Sequence, residues 1–182
     1  MKNSKHVFLE SQYWMMSIQA AFQRASIYNS DASETSKKAF RDYLHTVLID
    51  ISSNYEGLVT EDEHIKNIET ILNSSVDSEV LSEGRLNFGV CQKILNLYLK
   101  YLWCAGWIQT PPHFPVDRLI QEKLGFKESE IVSWTNGIHS RFKYMAIIDR
   151  AKRILVKTNI QSLAELELEI YTHSNLKKIL TK

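Results

Sequence analysis

Two short stretches hold the residues best suited to chemistry. "GVCQK" at 89–93 sets Lys93 near the start of an apolar run with helical spacing, and "HFPVDRLIQEKLG" at 113–125 returns the chain through a proline to Asp117. A lysine amine whose charge is disfavoured by partial burial is a nucleophile near neutral pH. A carboxylate beside a reacting carbon stabilises positive charge that develops there. Each residue also has an ordinary structural use. Polar helix faces are the commonest home of lysine, and an acidic residue in a helix's first turn is favoured by the helix dipole. A second chemical feature is the segment 141–157, where Lys143, Arg150, Arg153 and Lys157 fall within about an 80° arc of a helix. They adjoin an apolar stripe of Tyr144, Ile148, Ala151 and Leu155. That pattern suits a helix lying along a phosphate backbone, and equally a solvated face.

The elements that must position these residues read as helix after helix. All 3 prolines fall between 111 and 115, and with 6 glycines there is little turn chemistry for an all-β fold. An apolar stripe of Phe8, Trp14, Met15, Ile18, Ala21 and Phe22 predicts a first helix. "NSDAS" caps a second, with Phe40, Tyr43, Leu44, Val47, Leu48 and Ile51 as its buried face. Thr60 and Glu63 have capping-box spacing at the start of a third. A short acidic helix is expected near 77–83, and a long one over 88–104. A fifth begins at Pro115. A sixth runs from 129 to 157, with an interruption at Asn136-Gly137, and a last covers 161–172. On the long helix, Ile94, Leu95, Tyr98, Leu99, Tyr101 and Leu102 form a broad apolar arc, and Lys93, Asn96 and Lys100 lie opposite with Trp103 beside them. Lys93 is therefore expected to point away from the core, toward solvent or a cleft. "PPHF" at 111–114 reads as a rigid extended connector with a solvated His113. Trp103, Trp107 and Trp134 read as core residues, or as a surface on which a base stacks.

The 182 residues predict one all-α, single-domain protein, 1–182, with 44% hydrophobic residues for its core. A formal net charge of +1 excludes a polycation, so nucleic acid would meet a local patch. Cys91 and Cys104 sit on one expected helix about 20 Å apart and cannot pair. No metal or cofactor signature appears. The polar N-terminus and the absence of any run near the roughly 18–20 apolar residues of a membrane span predict a cytoplasmic protein with no membrane partner.

Gly89-Val90-Cys91-Gln92-Lys93, followed by Pro115-Val116-Asp117-Arg118-Leu119-Ile120 and Lys123-Leu124-Gly125, resembles the second half of the helix–hairpin–helix DNA glycosylases. The likeness covers roughly residues 84–125. The archaeal 8-oxoguanine glycosylases, with a similarly wide interval between the two motifs, are the closer match. Cys91 stands where the family places the hairpin's second glycine. The resemblance implies a compact helical fold, a DNA partner, and base excision with an associated lyase step. It makes Lys93 the nucleophile and Asp117 the catalytic carboxylate, with no cofactor. It also implies that the hairpin at Gly89, Val90 and Gln92 meets DNA phosphates through backbone N–H groups. The rival expectation from another class is a non-enzymatic helical module that binds nucleic acid or a protein partner in a bacterial or phage system. The discriminating feature is whether Lys93 and Asp117 face one another.

Overall fold

The structure is a computed structural model and describes residues 3–172. Seven α-helices, with two short 3-10 turns, account for 63% of the described residues, and no strand is present among them. They are α1 (Ser4–Phe22), α2 (Glu34–Ser53), α3 (Glu61–Ser74), α4 (Phe88–Cys104), α5 (Arg118–Lys123), α6 (Arg141–Leu155) and α7 (Leu163–Thr172). Side-chain caps open most of them. Ser33 accepts from Ser36 N–H, and Thr60 and Glu63 close the expected capping box. No described helix is long and apolar enough to cross a membrane.

The fold is organised around α4. Helix α1 runs antiparallel along it, with His6 stacked on Trp107 at 3.7 Å and Tyr13 on Tyr101 at 5.6 Å. Helix α3 packs on another side, while α5 and α6 meet α7. Every residue from Phe88 to Asn96 is buried, polar ones included. The expected polar face of α4 is therefore absent at its N-terminal half. Lys93 is 6% exposed and Asn96 2%. The periodicity is real, but the chain wraps the helix on all sides and covers its polar edge with Trp134 and the 114–117 segment.

Three boundaries differ from expectation, each for a local reason. The stretch 77–83 is a turn, not a helix. Asp77 takes a left-handed backbone (φ 58°), Ser78 N–H bonds Gly84 O, and Leu81 pairs with Tyr28 in an isolated bridge. Helix α5 begins at Arg118, because the N–H and the C=O of Val116 are both bonded to the Gln92 side chain and Asp117, itself extended, serves as the N-cap. The expected 129–157 helix is divided. Glu128–Glu130 is a 3-10 turn, and the N–H groups of both Gly137 and Ile138 fold back onto Ser133 O before α6 opens at Arg141. His113 is also not solvated. It is 1% exposed, between Glu61 and Tyr144.

Candidate active site

The first turn of α4 is built to receive another part of the chain. Asn87 caps the helix by accepting from Val90 N–H, and its own amide donates to Thr135 O. Gly89 N–H donates to Ile138 O at 2.8 Å. A Cβ on Gly89 would lie 2.1 Å from Trp134 O. Only glycine lets the 134–138 turn rest on the helix there. Lys93 is four residues on and so shares that face. The Trp134 backbone sits on Gly89, and its indole sits on Lys93, with the Lys93 amine 3.6 Å from the ring centre.

The carboxylate arrives by a second device. Gln92 is fully buried. Its amide donates to Val116 O (2.8 Å) and Gly89 O (2.9 Å), and its oxygen accepts from Val116 N–H (3.0 Å). This pairing fixes Val116 against α4 and delivers the next residue, Asp117, beside the residue after Gln92. The Lys93 amine lies 3.5 Å from Asp117 Oδ2, while Oδ1 caps α5 by accepting from Ile120 N–H. A second buried glutamine repeats the device. Gln121 donates to Val132 O and accepts from Val132 N–H, anchoring the segment that carries Trp134. Lysine, carboxylate and indole thus come from three chain segments, tied together by Gly89, Gln92 and Gln121.

Electrostatically, the amine is the enclosed member of the pair. The Lys93 side chain is 8% exposed and that of Asp117 33%. Burial lowers the Lys93 pKa below the ordinary lysine range. The charge of Asp117 and its hydrogen bond oppose that shift, and the charge of Arg24 adds to it. Asp117 also lines a cavity of about 380 Å³ with Lys100, Cys104, Lys123, Glu167 and Tyr171, and is the member of the pair that does so. The arrangement places an amine with disfavoured charge within a small closure of a carboxylate that can take its proton.

The other sequence-designated residues separate. Gly89, Val90 and Gln92 do not form a phosphate-binding hairpin. All three are buried, and the Gly89 and Val90 N–H groups are committed to Ile138 O and Asn87 Oδ1. Cys91 is an ordinary buried helical residue whose N–H bonds Asn87 O, so no left-handed glycine is needed there. Arg150 is likewise occupied. It donates to Leu124 O and Gly125 O at the end of α5 and stacks over Phe126. Lys143, Arg153 and Lys157 are exposed.

Sequence reasoning missed a second buried polar cluster, which meets α4 at Asn96. Tyr144 OH accepts from Asn96 and meets His113 Nδ1, and His113 Nε2 contacts Glu61. His64 stacks edge-on against His113 and bonds Tyr55 OH. Burial pushes both histidines below their usual range, His64 strongly. These residues come from several separate segments, and no spacing in the chain announces them. Among the described residues no group of three or more His, Cys, Asp or Glu side chains is placed to hold a metal ion. No family model, no curated protein and no solved structure matches the chain.

Proposed function

We propose that the protein is a DNA base-excision glycosylase with associated lyase activity, in which Lys93 is the nucleophile and Asp117 the carboxylate. The observation that carries this reading is the enclosed Lys93 amine 3.5 Å from Asp117 Oδ2. In the proposed reaction a flipped nucleotide meets the pair after the Trp134 indole leaves the amine. Neutral Lys93 attacks C1′ while the C1′–N bond breaks, and the base departs with the bonding electrons. Asp117 faces the sugar as it becomes cationic and takes the amine's proton. Ring opening leaves an imine between Lys93 Nζ and C1′. Loss of a C2′ proton and of the 3′-phosphate nicks the strand, and water then releases Lys93. The lowered Lys93 pKa supports the first step, because it raises the fraction of neutral amine.

A second reading, a non-enzymatic helical module for nucleic acid or a protein partner, is favoured by the closure of the amine between Trp134 and Asp117. There the pair is a buried strut. Borohydride reduction in the presence of duplexes bearing an abasic or oxidised-purine site separates the two. The enzyme reading expects a covalent complex that Lys93→Gln abolishes with lesion binding nearly intact. It also expects Asp117→Asn to lower turnover far more than affinity. No adduct on any such duplex leaves the module reading.

A further inference from the structure

A cavity of about 790 Å³ lies on a different side of the α4 N-terminus from the Asp117 cavity and has no part in the chemistry above. Three chain segments converge on it, with Arg24 just after α1, Arg85 just before α4 and His139 just before α6. Ser82 and Asn136 add polar groups, and Glu83 is the one carboxylate on its wall.

The arginines here are set apart by where they stand. Of the seven in the chain, Arg41, Arg118, Arg141 and Arg150 are engaged with a tyrosine, with carboxylates or with backbone carbonyls. Arg153 is exposed on α6. Arg24 and Arg85 have no hydrogen-bond or ion-pair partner among the described residues, yet both line this one concavity. Arginine is the side chain whose planar fork fits phosphate oxygens. The basic stripe expected on α6 offers a poorer phosphate surface, since Arg150 is spent on α5.

We infer that this groove holds the phosphodiester backbone of a nucleic-acid strand, with Arg24 and Arg85 binding its phosphates and His139 as a further ring N–H donor. The inference rests on the proposed function for its choice of nucleic acid. Asn87 and Phe88 line the groove immediately before Gly89, and Thr135 and Asn136 line it immediately after Trp134. A strand held there runs past the start of the helix that carries Lys93 and the turn whose Trp134 covers it. The charge of Arg24 already reaches the Lys93 amine.

The test is the salt dependence of binding to a labelled, undamaged oligonucleotide, which needs no catalysis. Arg24→Ala and Arg85→Ala should each weaken binding several-fold. Each should also flatten the slope of log K against log salt by roughly 0.7–0.9 for every phosphate no longer neutralised. Arg24→Lys and Arg85→Lys should keep the slope while losing part of the affinity. Lys66→Ala, an exposed cation on α3, should change neither. Melting temperatures of all variants separate weakened binding from unfolding. An unchanged slope in both alanine variants overturns the inference. So does an equal loss in Lys66→Ala, or displacement of the oligonucleotide by inorganic phosphate beyond its effect as ionic strength. Oligonucleotide binding with the expected slopes but no borohydride adduct defeats the proposed function and leaves the groove. An adduct with unchanged slopes does the reverse.

Discussion

Helix α4 carries two lysine–carboxylate pairs two turns apart, and they are built in opposite ways. Lys100 meets Glu167 with both carboxylate oxygens at 2.7 and 3.0 Å, and the carboxylate is the more deeply buried partner, 7% exposed. Burial raises the Glu167 pKa, and Lys100 opposes that shift. Lys93 meets Asp117 through one oxygen at 3.5 Å, the amine is the buried partner, and the carboxylate is shared with the cap of α5. The first pair is a strut that docks α7 onto α4. The second holds an amine whose charge is disfavoured beside a carboxylate that is one-third exposed. The same pairing of lysine and carboxylate thus occurs twice on one helix, with the amine desolvated in one pair and the carboxylate in the other.

That contrast breaks most visibly in stability. Lys100→Met leaves Glu167 buried without its hydrogen-bonded partner, with only the more distant charge of Lys123 to oppose its burial, and should cost about 3–5 kcal/mol in urea unfolding at neutral pH. Lys93→Met removes the desolvated amine and leaves a partly exposed Asp117 that still caps α5. It should stay within about 1 kcal/mol of the parent. Equal losses for the two would mean that both pairs are struts.

A smaller effect sharpens the account of how Lys93 is enclosed. Gly89→Ala puts a methyl group 2.1 Å from Trp134 O, far inside contact distance. It should cost about 1–3 kcal/mol through overpacking and lift the indole from the amine. The near-ultraviolet dichroism of the tryptophans should change while the far-ultraviolet helix signal stays. A silent Gly89→Ala would mean that the 134–138 turn is free to move and does not set the site.

The smallest effect concerns the opposite flank of α4. His64 and His113 are buried with lowered pKa values. Below about pH 6.5 the unfolded chain binds protons that the folded chain refuses, so stability falls as pH drops through that range. Glu61, Lys152 and Asp149 face His113. Burial raises the Glu61 pKa, but its bonds to His113 and Lys152 more than offset this, so its own stabilisation is lost only at lower pH. His64→Gln should flatten the dependence of melting temperature on pH between about 5 and 6.5, whatever it does to the absolute value. An unchanged slope would remove His64 from the acid response.

The fold was largely legible because it is local. Helices α1 and α2, the Thr60–Glu63 box and the bounds of α4 all follow from spacing along the chain, but Phe8 and Met15 of the expected α1 stripe and Tyr43 of the expected α2 face are exposed. The errors lie where distant segments decide. Lys93 sits on the polar edge of its own helix, but Trp134 covers that edge only through its approach to Gly89, far away along the chain. Asp117 looked like the third residue of a helix beginning at Pro115. It is instead the cap, because Gln92 takes up both the N–H and the C=O of Val116. The side-by-side placement of Lys93 and Asp117 was expected from a family likeness, whereas the glutamine clamps that create it carry no mark in sequence. The phosphate-binding role given to Gly89, Val90 and Gln92 failed for the same reason, since their polar groups are consumed in building the site.

The central claim is that Lys93, and not the better-paired Lys100, is the amine that does chemistry. The most direct measurement is to reduce the protein with borohydride on an abasic-site duplex, digest the adduct, and map the modified lysine by mass spectrometry. The account predicts a single adduct on the peptide bearing Lys93. An adduct on Lys100 or Lys123, the lysines that line the cavity with Asp117, or no adduct at all, would contradict it.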